Sequence, residues 1–185
     1  MRIIAGEHRG VSLAPLGKGD HGAHLRPTSD RVRESLFSVL THLGVTDGAR
    51  VLDLFAGTGA LGLEALSRGA AHATFVDNGR TALGLLRQNI AKLRVADRST
   101  IVARDARRLP VREGPPAGLI FLDPPYGKEM GEAALATAGQ SGWLASGALI
   151  VWEEAAPMPA PPGFDLVDQR RYGDTQITFL SKADA

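Results

Sequence analysis

The stretch "DLFAGTGALG", Asp53 to Gly62, decides how the rest of this chain is read, because an apolar run gives way there to a helical pattern. "RVLDLF" is a continuous apolar strand, and Ala60 to Arg68 carries the periodicity of a helix. Toward the C-terminus, "HATFV", "STIVA", "GLIFL" and "ALIVWE" read as further strands. Helices are predicted between them from Leu83, Leu86, Ile90 and Leu93, and over Glu129 to Gly139. Strands that are apolar throughout and separated by helices indicate a parallel sheet covered on both faces, an α/β doubly wound architecture. After the proline-rich "APMPAPPG", Phe164 to Arg171 and Thr175 to Leu180 predict an antiparallel C-terminal hairpin joined through "YGD". Toward the N-terminus, Val32, Leu36, Val39, Leu40 and Leu43 mark one helix face, with Thr28, Ser29 or Asp30 to cap it and Gly44 to end it. Arg2 to Ala5 and Val11 to Leu16 flank "GEHRG" as a small β-hairpin, followed by a loop from Gly17 to His24.

The 185 residues suit one main domain with a small appendage, and 44% hydrophobic with 22% charged residues is ordinary for a water-soluble chain. No run approaches the roughly 18 apolar residues of a membrane span, and "MRII" lacks the apolar block of a secretory signal, so a cytoplasmic location is expected. The absence of cysteine removes disulfides and thiol chemistry, and His8, His21, His24, His42 and His72 show no metal-ligand spacing; no metal is expected. Net charge is only +1, but its distribution is uneven. Arg2, Arg9, Lys18, Arg26, Arg31 and Arg33 crowd the N-terminal part, and Arg104, Arg107, Arg108 and Arg112 form a second knot. Either group alone reads equally well as solvated surface; together they matter if the fold brings them to one face.

Gly57, Gly59 and Gly62 match G-x-G-x-x-G, and Asp77 ends the second strand where a ribose-binding acid belongs, so a nicotinamide or flavin enzyme must be weighed. Asp53 argues against it. A dinucleotide loop faces a pyrophosphate, and a carboxylate just before the glycines repels an anion. S-adenosylmethionine has no phosphate and carries an ammonium and a sulfonium, which suit Asp53. The glycines let backbone approach the ligand closely, Asp77 can accept from both ribose hydroxyls, and Asp105 with the backbone of Ala106 is placed for an adenine amine.

Seventy residues beyond Asp53, the strand "GLIFL" ends in "DPPYG". Pro124 restricts Asp123 to extended geometry, and the two prolines fix their own φ angles. The outcome is a rigid pair of acceptors, the Asp123 carboxylate and the Pro124 carbonyl, suited to the two hydrogens of an exocyclic amine. Tyr126 adds a face on which a flipped base can stack, worth about 1–3 kcal/mol. Acceptors on its hydrogens draw charge onto a weakly nucleophilic amine nitrogen, and Asp123 can take the proton that leaves. The plain alternative for Asp-Pro-Pro is a turn.

"DLFAGTGALGLEAL" with "LDPPY" resembles the class I S-adenosylmethionine-dependent amino-methyltransferases of nucleic acids. "RIIAGEHRGVSL" followed by "LRPTSDRVRESLF" narrows the resemblance to the bacterial small-subunit (16S) ribosomal RNA guanine-N2 methyltransferases, over nearly the whole chain. The resemblance implies a seven-stranded Rossmann-like methyltransferase sheet over 46–181, with residues 1–45 as an RNA-binding hairpin and helix. It implies methylation of the N2 amine of a 16S guanosine, with S-adenosyl-L-methionine as cofactor. Asp53, Phe55, Gly57, Gly59, Asp77, Asn78, Asp105 and Ala106 would bind the cofactor, and Asp123, Pro124 and Tyr126 would be catalytic. Arg26, Thr28, Asp30, Arg31 and Pro125 would meet the substrate. The partner would be rRNA or the small ribosomal subunit, met by a monomer without membrane or metal. Two departures stand out: the second-strand acid is more often Glu in such enzymes, and the Gly17 to His24 loop is longer than usual. The rivals are a DNA adenine-N6 or cytosine-N4 methyltransferase, for whose sequence-reading domain 185 residues leave little room, and a silent RNA-binding protein of the same fold.

Overall fold

The computed structural model of the protein describes residues 1–15 and 28–184. Arg26 and the Gly17 to His24 loop lie outside the described residues. Along the chain run α1 (Asp30–His42), β1 (Arg50–Leu54), α2 (Ala60–Ser67), β2 (His72–Asp77), α3 (Arg80–Leu93), β3 (Ser99–Ala103), β4 (Ala117–Leu122), α4 (Met130–Gln140), β5 (Leu144–Glu154), β6 (Phe164–Tyr172) and β7 (Thr175–Lys182). Short 3₁₀ turns cover Ala96–Arg98 and Ala106–Arg108.

The strands form a seven-stranded sheet in the order β3-β2-β1-β4-β5-β7-β6. Strands β1 to β5 pair in parallel, while β7 runs antiparallel to both β5 and β6. The expected α/β sheet with its antiparallel C-terminal hairpin is therefore present, and the hairpin is inserted so that β7, the later strand, lies inside β6. Edge strand β6 is largely exposed and carries Asp165, Asp168, Arg170 and Arg171, charges that discourage pairing with another chain.

Side chains alternate between two cores because successive strand residues point to opposite faces. Val51, Phe75, Phe121, Val151 and Phe179 pack on one face with α1, α2 and α3. Leu52, Leu54, Ile120, Leu122, Ile150 and Trp152 pack on the other with α4 and the Ala106–Arg108 turn. Helix α1 belongs to the first core: Phe37 sits 5.6 Å from the Phe121 ring, and Ile3 and Leu13 join the same cluster.

Two readings change at the N-terminus. The expected hairpin strands reduce to a single antiparallel bridge, Arg2 to Ser12, among the described residues. Around that bridge the Ile3 N–H donates to the Val11 carbonyl at 2.9 Å and the Leu13 N–H to the Met1 carbonyl at 3.0 Å; beyond Ile3 the Ile4 and Ala5 N–H groups donate to the Glu64 carboxylate, at 2.9 and 3.1 Å, and the pairing ends. On α1, Ser29 is the cap and accepts from the Val32 N–H, and Gly44 follows the helix at φ +67°. The inward face, however, is Arg33, Leu36, Phe37 and Leu40, while Leu43 is 48% exposed.

Candidate active site at the carboxyl ends of the strands

Strand β1 ends in a loop of left-handed residues: Phe55 at φ +58°, Gly57 at +57° and Gly59 at +82°. Glycine takes such angles freely, but for Phe55 they are strained, and strain of this kind gathers at ligand sites. Asp53 lies behind the loop, 2% exposed, with Oδ2 accepting the Gly62 N–H at 3.0 Å. Burial pushes its carboxyl up to about 8; the Gly62 N–H opposes this and the Asp77 charge adds to it. Gly62 is required here, since a Cβ would stand 2.4 Å from the Phe75 ring and 3.1 Å from Asp53 Oδ2.

Asp77 closes β2 and curls over the same loop. Its Oδ2 accepts the Gly57 N–H at 2.9 Å and its Oδ1 the Gly79 N–H at 2.8 Å, leaving a lone pair on each oxygen for a ligand. Asn78 beside it is exposed. Asp105 caps the 3₁₀ turn after β3, accepting from Arg107 N at 2.9 Å and gripping the guanidinium through Nε at 3.0 Å and Nη2 at 2.7 Å. That grip holds the Asp105 carboxyl below its usual range. Ala106 is buried.

Asp123 follows β4 directly and its N–H reaches the Leu54 carbonyl at 3.4 Å, so the Asp-Pro-Pro-Tyr stretch leaves the sheet beside the glycine loop. Asp123, Pro125 and Tyr126 are half-buried and Pro124 is buried. The Tyr126 hydroxyl donates to Glu153 Oε1 at 3.2 Å, near the Thr175 side chain. Burial first, then the charges of Glu153 and Asp123, push the phenol up to about 12 despite Thr175.

The residues expected at the mouth divide. Arg31 is exposed. Thr28 instead turns inward, donating to Glu153 Oε2 at 2.7 Å, and Asp30 pairs with Arg33 and, at 3.8 Å, with Arg2. Arg33 is wholly buried against Glu64, so it supplies no surface charge. The second knot also splits: Arg104, Arg107 and Arg108 are exposed beyond the carboxyl end of β3, whereas Arg112 stacks over Trp143 at 4.6 Å and shares a depression with Arg50 and His72, the first residues of β1 and β2.

Sequence reasoning passed over Glu153, Thr175 and Asn89. Asn89 ties the glycine loop to the N-terminal segment, donating to the Thr58 carbonyl at 2.9 Å and accepting the Ala14 N–H at 2.7 Å. Glu153 had a usable signal, since it is one more acid at the carboxyl end of a parallel strand, as Asp53, Asp77 and Asp123 are.

A family model described as Conserved hypothetical protein 95 matches residues 1–181. The Escherichia coli (strain K12) protein named ribosomal RNA small subunit methyltransferase D is 42% identical over 154 residues, 83% of this chain and 74% of the relative. YlbH of Bacillus subtilis (strain 168), named as a candidate rRNA methyltransferase, is 37% identical over 189 residues, 98% of this chain and 99% of the relative. Among solved structures, the candidate methyltransferase yhhF of Escherichia coli superposes with a TM-score of 0.83 at 33% identity, covering 99% of this chain and 98% of that one.

Proposed function

Because the chain belongs to the family described as Conserved hypothetical protein 95, we propose that it methylates the exocyclic N2 amine of a guanosine in the 16S rRNA of the small ribosomal subunit. The observation that carries this is the placement of Asp123 and Tyr126 at the end of β4, hydrogen-bonded to β1 where the glycine loop begins. The curated relatives' names favour rRNA over DNA as the substrate.

The residues present fit S-adenosylmethionine. Asp53, Asp77 and Asp105 end or nearly end three adjacent strands, and the Gly57 N–H is donated to Asp77 Oδ2 rather than left for a pyrophosphate. Asp77 would take the ribose hydroxyls, and Asp105 and the Ala106 backbone the adenine; Asp53, expected to face the cationic end, is sealed behind the loop and protonated below about pH 8, so it would serve by holding the loop in shape through the Gly62 N–H. Phe55, Gly57, Gly59 and Asn78 would line the cradle. S-adenosylmethionine supplies an electrophilic methyl group on its sulfonium.

The chain's own residues do the rest. The Asp123 carboxylate and Pro124 carbonyl accept the two amine hydrogens, which aims the nitrogen lone pair and stabilises the positive charge that develops on it. Asp123 then accepts the proton released when the new N–C bond is complete. Tyr126 stacks on the base and Pro125 stiffens the stretch, while Arg31, and Arg26 before it, meet phosphates. Labelled methyl should pass from S-adenosylmethionine to small-subunit rRNA and be recovered as N2-methylguanosine. Label recovered only in DNA, or as methyladenosine, overturns the proposal.

A further inference from the structure

Glu153 lies where three parts of the candidate site meet. It follows Trp152, which pairs with Leu122, so Glu153 stands beside Asp123 at the carboxyl edge of the sheet. It is 6% exposed, and its two oxygens serve two distant segments: Oε2 takes the Thr28 hydroxyl at 2.7 Å and Oε1 the Tyr126 hydroxyl at 3.2 Å. Thr28 directly precedes Ser29, the cap of α1. A buried carboxylate is costly unless its lone pairs are used.

The hydroxyl of Tyr126 is not needed for stacking, since a phenylalanine ring would present the same face to a base. What the hydroxyl adds is orientation. Bonded to Glu153, which is itself fixed by Thr28, the ring is held in one attitude before a base arrives. Resting on the methyltransferase reading above, we propose that Glu153 is a positioning residue for the target base. Its carboxylate couples the start of α1 to the Tyr126 ring, so the N-terminal arm that approaches RNA and the surface that receives the base are set by one group. Glutamine at this position keeps the volume but offers one acceptor oxygen where two hydroxyls donate.

The test uses the full chain with small-subunit rRNA and S-adenosylmethionine. Glu153→Gln should lower kcat by about 10- to 100-fold, the size of one lost hydrogen bond to a charged group, while the Kd for S-adenosylmethionine stays within about twofold. An unchanged kcat, or an equal loss of cofactor affinity, overturns the proposal. In a Tyr126→Phe background, the effect of Glu153→Gln should shrink; full additivity overturns it. Should Glu153→Gln fail to fold, Thr28→Val probes the same carboxylate from its other side. The chain has only two tyrosines, Tyr126 and Tyr172, so ring resonances of labelled tyrosine report on each separately. Thr28→Val should shift Tyr126 and spare Tyr172, and an unmoved Tyr126 overturns the coupling. This reading needs no RNA, so it stands apart from a failure of the wild-type chain to methylate rRNA, which would remove the proposed function instead.

Discussion

Two carboxylates in this site do opposite work, and their surroundings explain the difference. Asp53 is sealed behind the glycine loop with its carboxyl pushed up to about 8, whereas Asp123 stands half-exposed at the end of β4. An unfolded aspartate titrates at about 3.9, so between that value and about 8 the folded chain holds a proton that the unfolded chain has released. Stability therefore falls as pH climbs through that window and levels off above it. An asparagine side chain does not titrate, so the stability of the wild type relative to Asp53→Asn should decline from about pH 5 to about pH 8. Denaturant melts at the two pH values measure this, and a constant difference would refute burial as the cause. Asp123→Ala should abolish methyl transfer, a loss of at least about 100-fold, with cofactor affinity nearly unchanged by calorimetry. A large loss of affinity would move Asp123 into the cofactor's site.

At the scale of elements, the signal lay in local periodicity. Strands β1, β2, β4 and β5 and helices α2 to α4 were legible because a strand buried on both faces is apolar throughout and a covering helix repeats every three to four residues, while edge strand β3, only partly buried, showed in the β-branched residues of "STIV". Helix α1 shows the limit. Its apolar stripe was visible, yet its inward face includes Arg33 because Glu64, wholly buried in α2, accepts from Arg33, Arg68, Ile4 and Ala5. No period marks such a partner. Helix α4 carries a sharper constraint, since a Cβ on Gly131 would lie 2.6 Å from the buried Trp152 ring. Gly131→Ala gains about 1 kcal/mol of helix propensity but forces the ring or the helix to move, at about 1–3 kcal/mol. Urea unfolding should show a less stable variant; a more stable one would mean that α4 slides freely over β5.

For the whole molecule, the decisive fact is strand order. Asp53 and Asp123, 70 residues apart, become neighbours because β4 pairs with β1 rather than with β3. Among the described residues, no helix is long and apolar enough to cross a membrane. The same order divides the arginines, leaving Arg104 and Arg108 exposed at the active-site end while Arg112 goes to the other. If Arg104 and Arg108 meet RNA phosphates, replacing both with Ala should weaken RNA binding and reduce the slope of log K against log salt by about one per arginine, with cofactor binding untouched. An unaltered slope would place the RNA elsewhere.

The sequence by itself determined the alternation of strands and helices, the glycine loop, and the acids that close the strands, because each is written within about twenty consecutive residues by periodicity and backbone preference. Only the tertiary structure decided that Thr28 turns inward, that Asp30 pairs with a buried Arg33, and that Glu153 joins Thr28 to Tyr126. Those pairings span as many as 125 residues. They depend on which strand lies beside which and on what remains dry once the sheet is covered, and neither leaves a local mark on the chain.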